Sequence, residues 1–140
     1  MSYPDPQTVA DRYAAVWNEP DPELRRRAVR ELWHEDGVHV LQPPQEMRKA
    51  ARAIGFAEPE LRARGHAELE TRVNRAYEEF VAPGTMTFRA ARDAERLGNV
   101  IKFRWEAVLA ETGEPGGGGL EFVVLAEDGR IAEDYQFIES

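Results

Sequence analysis

A chain of 140 residues, 42% hydrophobic and 31% charged, is long enough to bury one sizeable core and reads as one domain over 1–140. Its formal net charge of −8 argues against nucleic acid as a partner, because phosphate contacts need clustered Lys and Arg, and here the arginines are interleaved with Asp and Glu. The absence of cysteine removes disulfides, thiolate metal sites and a Cys nucleophile, and with no membrane-length apolar run and a polar start at Met1 to Pro6 the expectation is a soluble, cytoplasmic protein.

Two segments open alike. Asp5-Pro6 and Asp21-Pro22 each place an Asp at a helix N-cap and a Pro at the first helical position. The first helix is expected over 6–18, with Val9, Tyr13, Val16 and Trp17 on one face. The second is expected over 22–34, with Leu24, Ala28, Leu32 and Trp33 on its face. Asp36-Gly37 is a turn signal, and Val38-His39-Val40-Leu41 reads as a short strand stopped by Pro43-Pro44. Helices follow over 45–54 and 66–80, the latter carrying Val73, Ala76, Tyr77 and Phe80 on one side.

From there the period becomes two. A strand is expected over 85–93 and a better one over 99–111, where Ile101, Phe103, Trp105, Ala107 and Leu109 alternate with Lys102, Arg104 and Glu106. The glycine-rich 114–119 reads as a flexible hairpin connection. The segment 120–126 is apolar except for Glu121 and reads as buried on both faces. Asp128-Gly129 is a two-residue hairpin signal before a closing strand over 130–139. Helices segregated from a strand meander indicate an α+β fold, with the helices covering one face of an antiparallel sheet.

Three blocks resemble the SnoaL-like branch of the nuclear-transport-factor-2-like superfamily. They are Arg12-Tyr13-Ala14-Ala15-Val16-Trp17-Asn18, Leu32-Trp33-His34-Glu35-Asp36-Gly37-Val38-His39, and Gly119-Leu120-Glu121-Phe122 running on to Asp128-Gly129-Arg130-Ile131. Their order and spacing match over nearly the whole chain. The resemblance implies a cone: a strongly curved sheet with helices on its concave side, enclosing a pocket. Members are commonly homodimers through the outer sheet face and include ketosteroid isomerase, polyketide cyclases, limonene epoxide hydrolase, scytalone dehydratase and non-catalytic binding proteins, so fold does not give function.

The motif around Tyr13 resembles the isomerase motif that carries its oxyanion-hole tyrosine, and Glu121 falls where the isomerase has its protonated Asp. A phenol and a carboxyl raised in pKa by an apolar wall can both donate to a developing oxyanion. Glu121 is the only charge in its strand; the alternative is an edge carboxylate paired with Arg. The isomerase's base position holds Leu41 or Gln42, neither of which abstracts a proton. His39, on the same strand face as Leu41, is the nearest titratable group: a general base at neutral pH, or a residue packed in the pocket wall. On the closing strand Asp134 and Gln136 share a face that the resemblance turns inward, leaving Ile131, Tyr135 and Phe137 toward a dimer partner; the opposite assignment puts the aromatics in the core. Tyr13, Trp17 and Trp105 are pocket walls or plain core.

The candidate catalytic set is therefore Tyr13, His39, Glu121 and Asp134, lined by Trp17, Leu41, Trp105 and Gln136. No cofactor is expected. No metal is expected either, because His34, His39 and His66 form no ligand pair by spacing. The 116–119 glycines lack a following Lys-Ser/Thr, and no Gly-x-Ser-x-Gly elbow is present. Three functions stay open: an isomerase, cyclase, dehydratase or hydrolase pocket for a small apolar substrate; a pocket that only binds such a molecule; and a dimeric interaction domain with an incidental cavity.

Overall fold

The computed structural model describes residues 3–56 and 60–139. Met1 and Ser2, which open the polar N-terminal stretch, lie outside the described residues. Helix α1 spans Pro6–Asn18, and its Asp5 cap accepts the Thr8 N–H; α2 spans Pro22–Leu32, and Asp21 accepts from Glu23 and Leu24. Strand β1 is Trp33–Leu41, α3 Gln45–Ala53, β2 Leu61–Arg64 and α4 Gly65–Ala76. A π-helical turn, Tyr77–Val81, extends α4, closed by the Ala82 N–H donating to the Tyr77 carbonyl. Strands β3 Met86–Ala90, β4 Glu95–Leu97, β5 Val100–Leu109, β6 Pro115–Leu125 and β7 Ile131–Glu139 complete the chain.

The seven strands form one curved sheet in the order β2-β1-β7-β6-β5-β3, with β4 also pairing β5. Its outer strands, β2 and β3, do not meet, so it stays unclosed. The fold is α+β, with α1 packed against β3 and α4 against β1 on one side of the sheet. Every pair is antiparallel except β1 with β7, which is parallel. The late strands form the expected antiparallel meander; β1, the first strand of the chain, lies parallel to β7, the last, and no hairpin joins the two.

The second helix ends at Leu32, and no turn separates it from the strand. Trp33 already pairs with Ile131, and the register shifts before Val38 pairs with Glu133. Gly37 absorbs this irregularity: a Cβ there would sit 2.9 Å from the His34 carbonyl and 3.0 Å from that of Ile131. The buried face of α2 also differs from the expected stripe. Leu24 is 48% exposed, while Arg25, Val29 and Leu32 are buried. Arg25 can be buried because its Nε donates to Asn74 Oδ1 at 2.8 Å, its Nη1 donates to the Glu19 carbonyl at 2.7 Å, and its guanidinium lies over the Tyr77 ring.

The glycine-rich segment is strand, not connection. Trp105 pairs with Gly119 and Glu106 with Gly118. A Cβ on Gly119 would meet the Trp105 indole at 2.6 Å, so the missing side chain is what lets the indole lie flat across β6. Strand β6 alternates rather than being buried on both faces: Glu121, Val123 and Leu125 are buried, and Leu120, Phe122 and Val124 are half-buried on the outer side. Glu127-Asp128-Gly129 form a three-residue loop closed by the Ala126–Arg130 backbone bond, with Gly129 at φ +86°. The core joins α1, α2 and α4 to β1, β5 and β6 around Tyr13, Val29, Trp33, Leu69, Val73, Ile101, Phe103 and Val123. Ile131 belongs to this core and not to the outer face, because the irregularity between Val124 and Leu125 turns it inward.

Candidate functional site

Strand register assembles the site. Across the inner face one row runs His39–Asp134–Val123–Ile101, and the next runs Leu41–Gln136–Glu121–Phe103. The two carboxyls therefore sit on adjacent strands in adjacent rows, diagonal to each other, with His39 beside Asp134 and Gln136 beside Glu121. Helix α1 lays Tyr13 over them. The Tyr13 ring also makes edge contacts with Phe103 and Trp33.

Glu121 is 0% exposed and accepts two hydrogen bonds: the Tyr13 hydroxyl donates to Oε2 at 3.2 Å, and the Trp105 indole N–H donates to Oε1 at 2.9 Å. It makes no ion pair with Arg among the described residues. Burial pushes the Glu121 carboxyl well above its ordinary range, the charge of Asp134 adds to this, and the two hydrogen bonds oppose it. Burial, reinforced by the neighbouring Asp134 and Glu121 carboxyls, likewise holds the Tyr13 phenol well above its ordinary value. Asp134 is 0% exposed, and neither of its oxygens has a hydrogen-bond partner.

His39 is 1% exposed, with both ring nitrogens engaged. Arg72 on α4 can only donate, so its Nη1, 3.0 Å from Nδ1, fixes Nδ1 as the acceptor. That leaves the proton on Nε2, which donates to Gln136 Oε1 at 2.8 Å and lies 3.8 Å from Asp134 Oδ2. Burial lowers the His39 pKa from its ordinary value; Asp134 opposes this and Arg72 supports it, so the ring is neutral at physiological pH. The same Arg72 nitrogen contacts the carbonyls of His39 and Leu61, each at 3.2 Å.

A cavity of about 560 Å³ opens beside this cluster. Tyr13, Trp17, His39, Leu41, Trp105 and Gln136 line it. Glu121 and Asp134 do not. The expectation that all four titratable residues share the cavity surface is corrected: Tyr13 and His39 stand at the surface, and the two carboxyls lie behind them, because Tyr13 and the Trp105 indole cover Glu121. Arg72, Phe80, Phe88 and Ile138 are lining residues that sequence reasoning missed. Phe80 is carried there by the π-helical turn. Arg72 gave no local signal, being one of two arginines on a charged helix.

His39, Glu121 and Asp134 also form, among the described residues, a group whose donor atoms lie within 4.8 Å of one another. Spacing could not show it, since the three come from three strands. Its use as a metal site is weakened by its own hydrogen bonds: both Glu121 oxygens and His39 Nε2 are already committed.

No protein-family model and no curated protein sequence matches this chain. Solved structures do. A SnoaL-like family protein from Agrobacterium tumefaciens, provisionally named an isomerase, is 27% identical over 95% of this chain and 96% of its own, with a TM-score of 0.75. A SnoaL-like protein of unknown function from Burkholderia thailandensis is 12% identical over 98% of this chain and 100% of its own, TM-score 0.60. A nuclear-transport-factor-2-like protein of unknown function from Mesorhizobium loti is 18% identical over 99% and 98%, TM-score 0.60. This chain is a SnoaL-like member of the nuclear-transport-factor-2-like superfamily. In this SnoaL-like protein the inner end of the cavity thus presents a phenol and a neutral imidazole at its surface, each with a buried carboxyl close behind.

Proposed function

We propose that this protein is a cofactor-independent acid/base catalyst of the isomerase type, acting on a small, largely apolar molecule that carries one carbonyl or hydroxyl oxygen. The observation that carries the reading is the pairing of Tyr13 and His39 at the inner end of a largely apolar cavity, backed by Glu121 and Asp134. Likeness to the Agrobacterium protein supports the same direction. In this scheme Tyr13 turns its hydroxyl proton from Glu121 to the substrate oxygen as negative charge develops on it. His39 accepts a proton from the adjacent carbon and returns it elsewhere, so atoms and charge balance over the cycle. For this, Arg72 Nη1 releases Nδ1 while keeping the two carbonyls it already contacts.

The engagement of both His39 nitrogens favours a second reading, in which the cavity binds such a molecule and leaves it unchanged. Deuterium exchange separates the two. With 1-tetralone in D₂O, followed by NMR, the catalytic reading expects exchange next to the carbonyl faster than in buffer, and slowed in both Tyr13→Phe and His39→Gln. Saturable binding of the ketone without accelerated exchange would leave the binding reading standing. We further propose a two-fold homodimer through the outer sheet face, where half-buried Leu120, Phe122 and Val124 adjoin exposed Tyr135 and Phe137.

A further inference from the structure

We propose that Glu121 and Asp134 hold one proton between them at neutral pH, so that the pair carries a single negative charge and gives Tyr13 a switchable hydrogen-bond partner. The inference goes beyond the proposed reaction and holds whether the cavity is catalytic or only binds. It rests on the geometry of two carboxyls, each 0% exposed, diagonal on paired strands two residues apart in register, with an oxygen of each within 4.8 Å of the other. Asp134 has no hydrogen-bond partner for either oxygen, which a buried interior penalises heavily in an ionised group. A proton on Glu121 directed at Asp134 supplies the missing partner.

Among the described residues no cation forms an ion pair with Glu121, and Arg72 forms none with Asp134. Facing the pair are Tyr13 from α1, His39 from β1, Arg72 from α4, Trp105 from β5 and Gln136 from β7. Tyr13 and Trp105 bring neutral donors, and both serve Glu121. His39 is neutral and its N–H serves Gln136. Arg72 is the one cation of the set, and it is held by His39 and the Leu61 carbonyl, with no ion pair to either acid among the described residues. Two full negative charges would therefore stand side by side with Arg72 acting on Asp134 only at a distance, and like-charged buried carboxyls relieve this by retaining a proton. Burial and the mutual charge both act on Glu121 in this direction.

A divalent cation is the competing occupant of the same cluster. Donors bound to one zinc or magnesium at about 2.1 Å stand only about 3–3.5 Å apart. His39 Nε2 and Asp134 Oδ2 are 3.8 Å apart, and that Nε2 carries the proton given to Gln136. A proton shared between the acids leaves the His39–Gln136 bond and both Glu121 hydrogen bonds in place.

The shared proton gives the site two settings. With the proton directed from Glu121 to Asp134, the Tyr13 hydroxyl donates inward to Glu121 and offers its lone pairs to the cavity. With the proton directed from Glu121 to Tyr13, the hydroxyl is free to donate to an oxygen in the cavity. Glu121 and Asp134 are positioning residues in this sense, acting through Tyr13.

Infrared difference spectroscopy tests the proposal. Wild-type protein at pH 7 is compared with the isosteric double variant Glu121→Gln/Asp134→Asn, with circular dichroism confirming that both fold; a variant that does not fold is replaced by Glu121→Gln alone. The expected difference is the carbonyl stretch of one protonated carboxyl, well above the carboxylate bands, present in wild type and lost in the variant. No such band in wild type, or an amplitude corresponding to two protonated carboxyls, overturns the proposal. So does loss of the band when Zn²⁺ or Mn²⁺ is added at stoichiometric concentration, since the metal would then be the natural occupant.

Discussion

Replacing Gly119 with alanine puts a methyl group where the Trp105 indole lies. The new Cβ would stand 2.6 Å from indole atoms Cε2 and Cζ2 and 2.6 Å from the Phe137 carbonyl oxygen on the paired strand. The carbonyl belongs to the β6–β7 ladder and cannot retreat without breaking register, so the indole must move. Forcing one extra carbon into such a packed position costs about 1–3 kcal/mol. Moving the indole also removes the N–H that reaches Glu121 Oε1 at 2.9 Å, leaving a buried acceptor short of a donor at about 1–3 kcal/mol. The sum, about 2–6 kcal/mol, is a large share of the roughly 5–15 kcal/mol that holds a domain together. Urea unfolding read by circular dichroism measures the loss, and near-ultraviolet dichroism reports the indole. Gly116→Ala is the internal comparison: its Cβ meets only the flexible Leu109 side chain, at 2.8 Å, and its cost should be far smaller. A Gly119→Ala protein within about 0.5 kcal/mol of wild type, the range of an ordinary surface substitution, with unchanged aromatic dichroism, would refute the reasoning that the glycine run exists to seat Trp105.

Tyr13→Phe should lower stability by about 1–3 kcal/mol in urea unfolding, because Glu121 loses one of its two donors in a buried site. Glu121 is a carboxyl whose folded pKa is raised, so the folded state binds more protons than the unfolded state above the ordinary carboxyl range; its contribution to stability should fall as pH rises above that range, and Glu121→Gln should remove this contribution from the slope of melting temperature against pH. His39 has the opposite sign: its folded pKa is lowered, so its contribution is present above the ordinary imidazole value and is lost as pH falls below about 6.5, a limb that His39→Gln should remove. Phe137→Glu, which charges the outer face beside Phe122, should convert a dimer to a monomer in sedimentation equilibrium at micromolar concentration; wild-type protein already monomeric there would remove the proposed interface.

What the sequence determined by itself was everything carried by short-range pattern. Asp5-Pro6 and Asp21-Pro22 fix helix starts because capping and the proline φ act within one turn. The alternation from Ile101 to Leu109 fixes the inner face of β5, because side chains in a strand alternate whatever the partner. Glu121 could be singled out as a lone charge in an apolar strand, and the direction of its pKa shift follows first from burial, with Asp134 adding to it. Tertiary structure decided what depends on which backbone lies alongside. The parallel pairing of β1 with β7 placed His39 beside Asp134, and neither strand's own pattern encodes that neighbour. The glycine run became strand because the Trp105 indole needed its bare face, a demand set by a residue on another strand. Whether Glu121 and Asp134 touch the cavity or stand behind it was settled by Tyr13 and Trp105 closing over them. Arg72 entered the site only because α4 crosses β1 at His39. Periodicity tells a side chain which way to point; only packing tells it what it meets there.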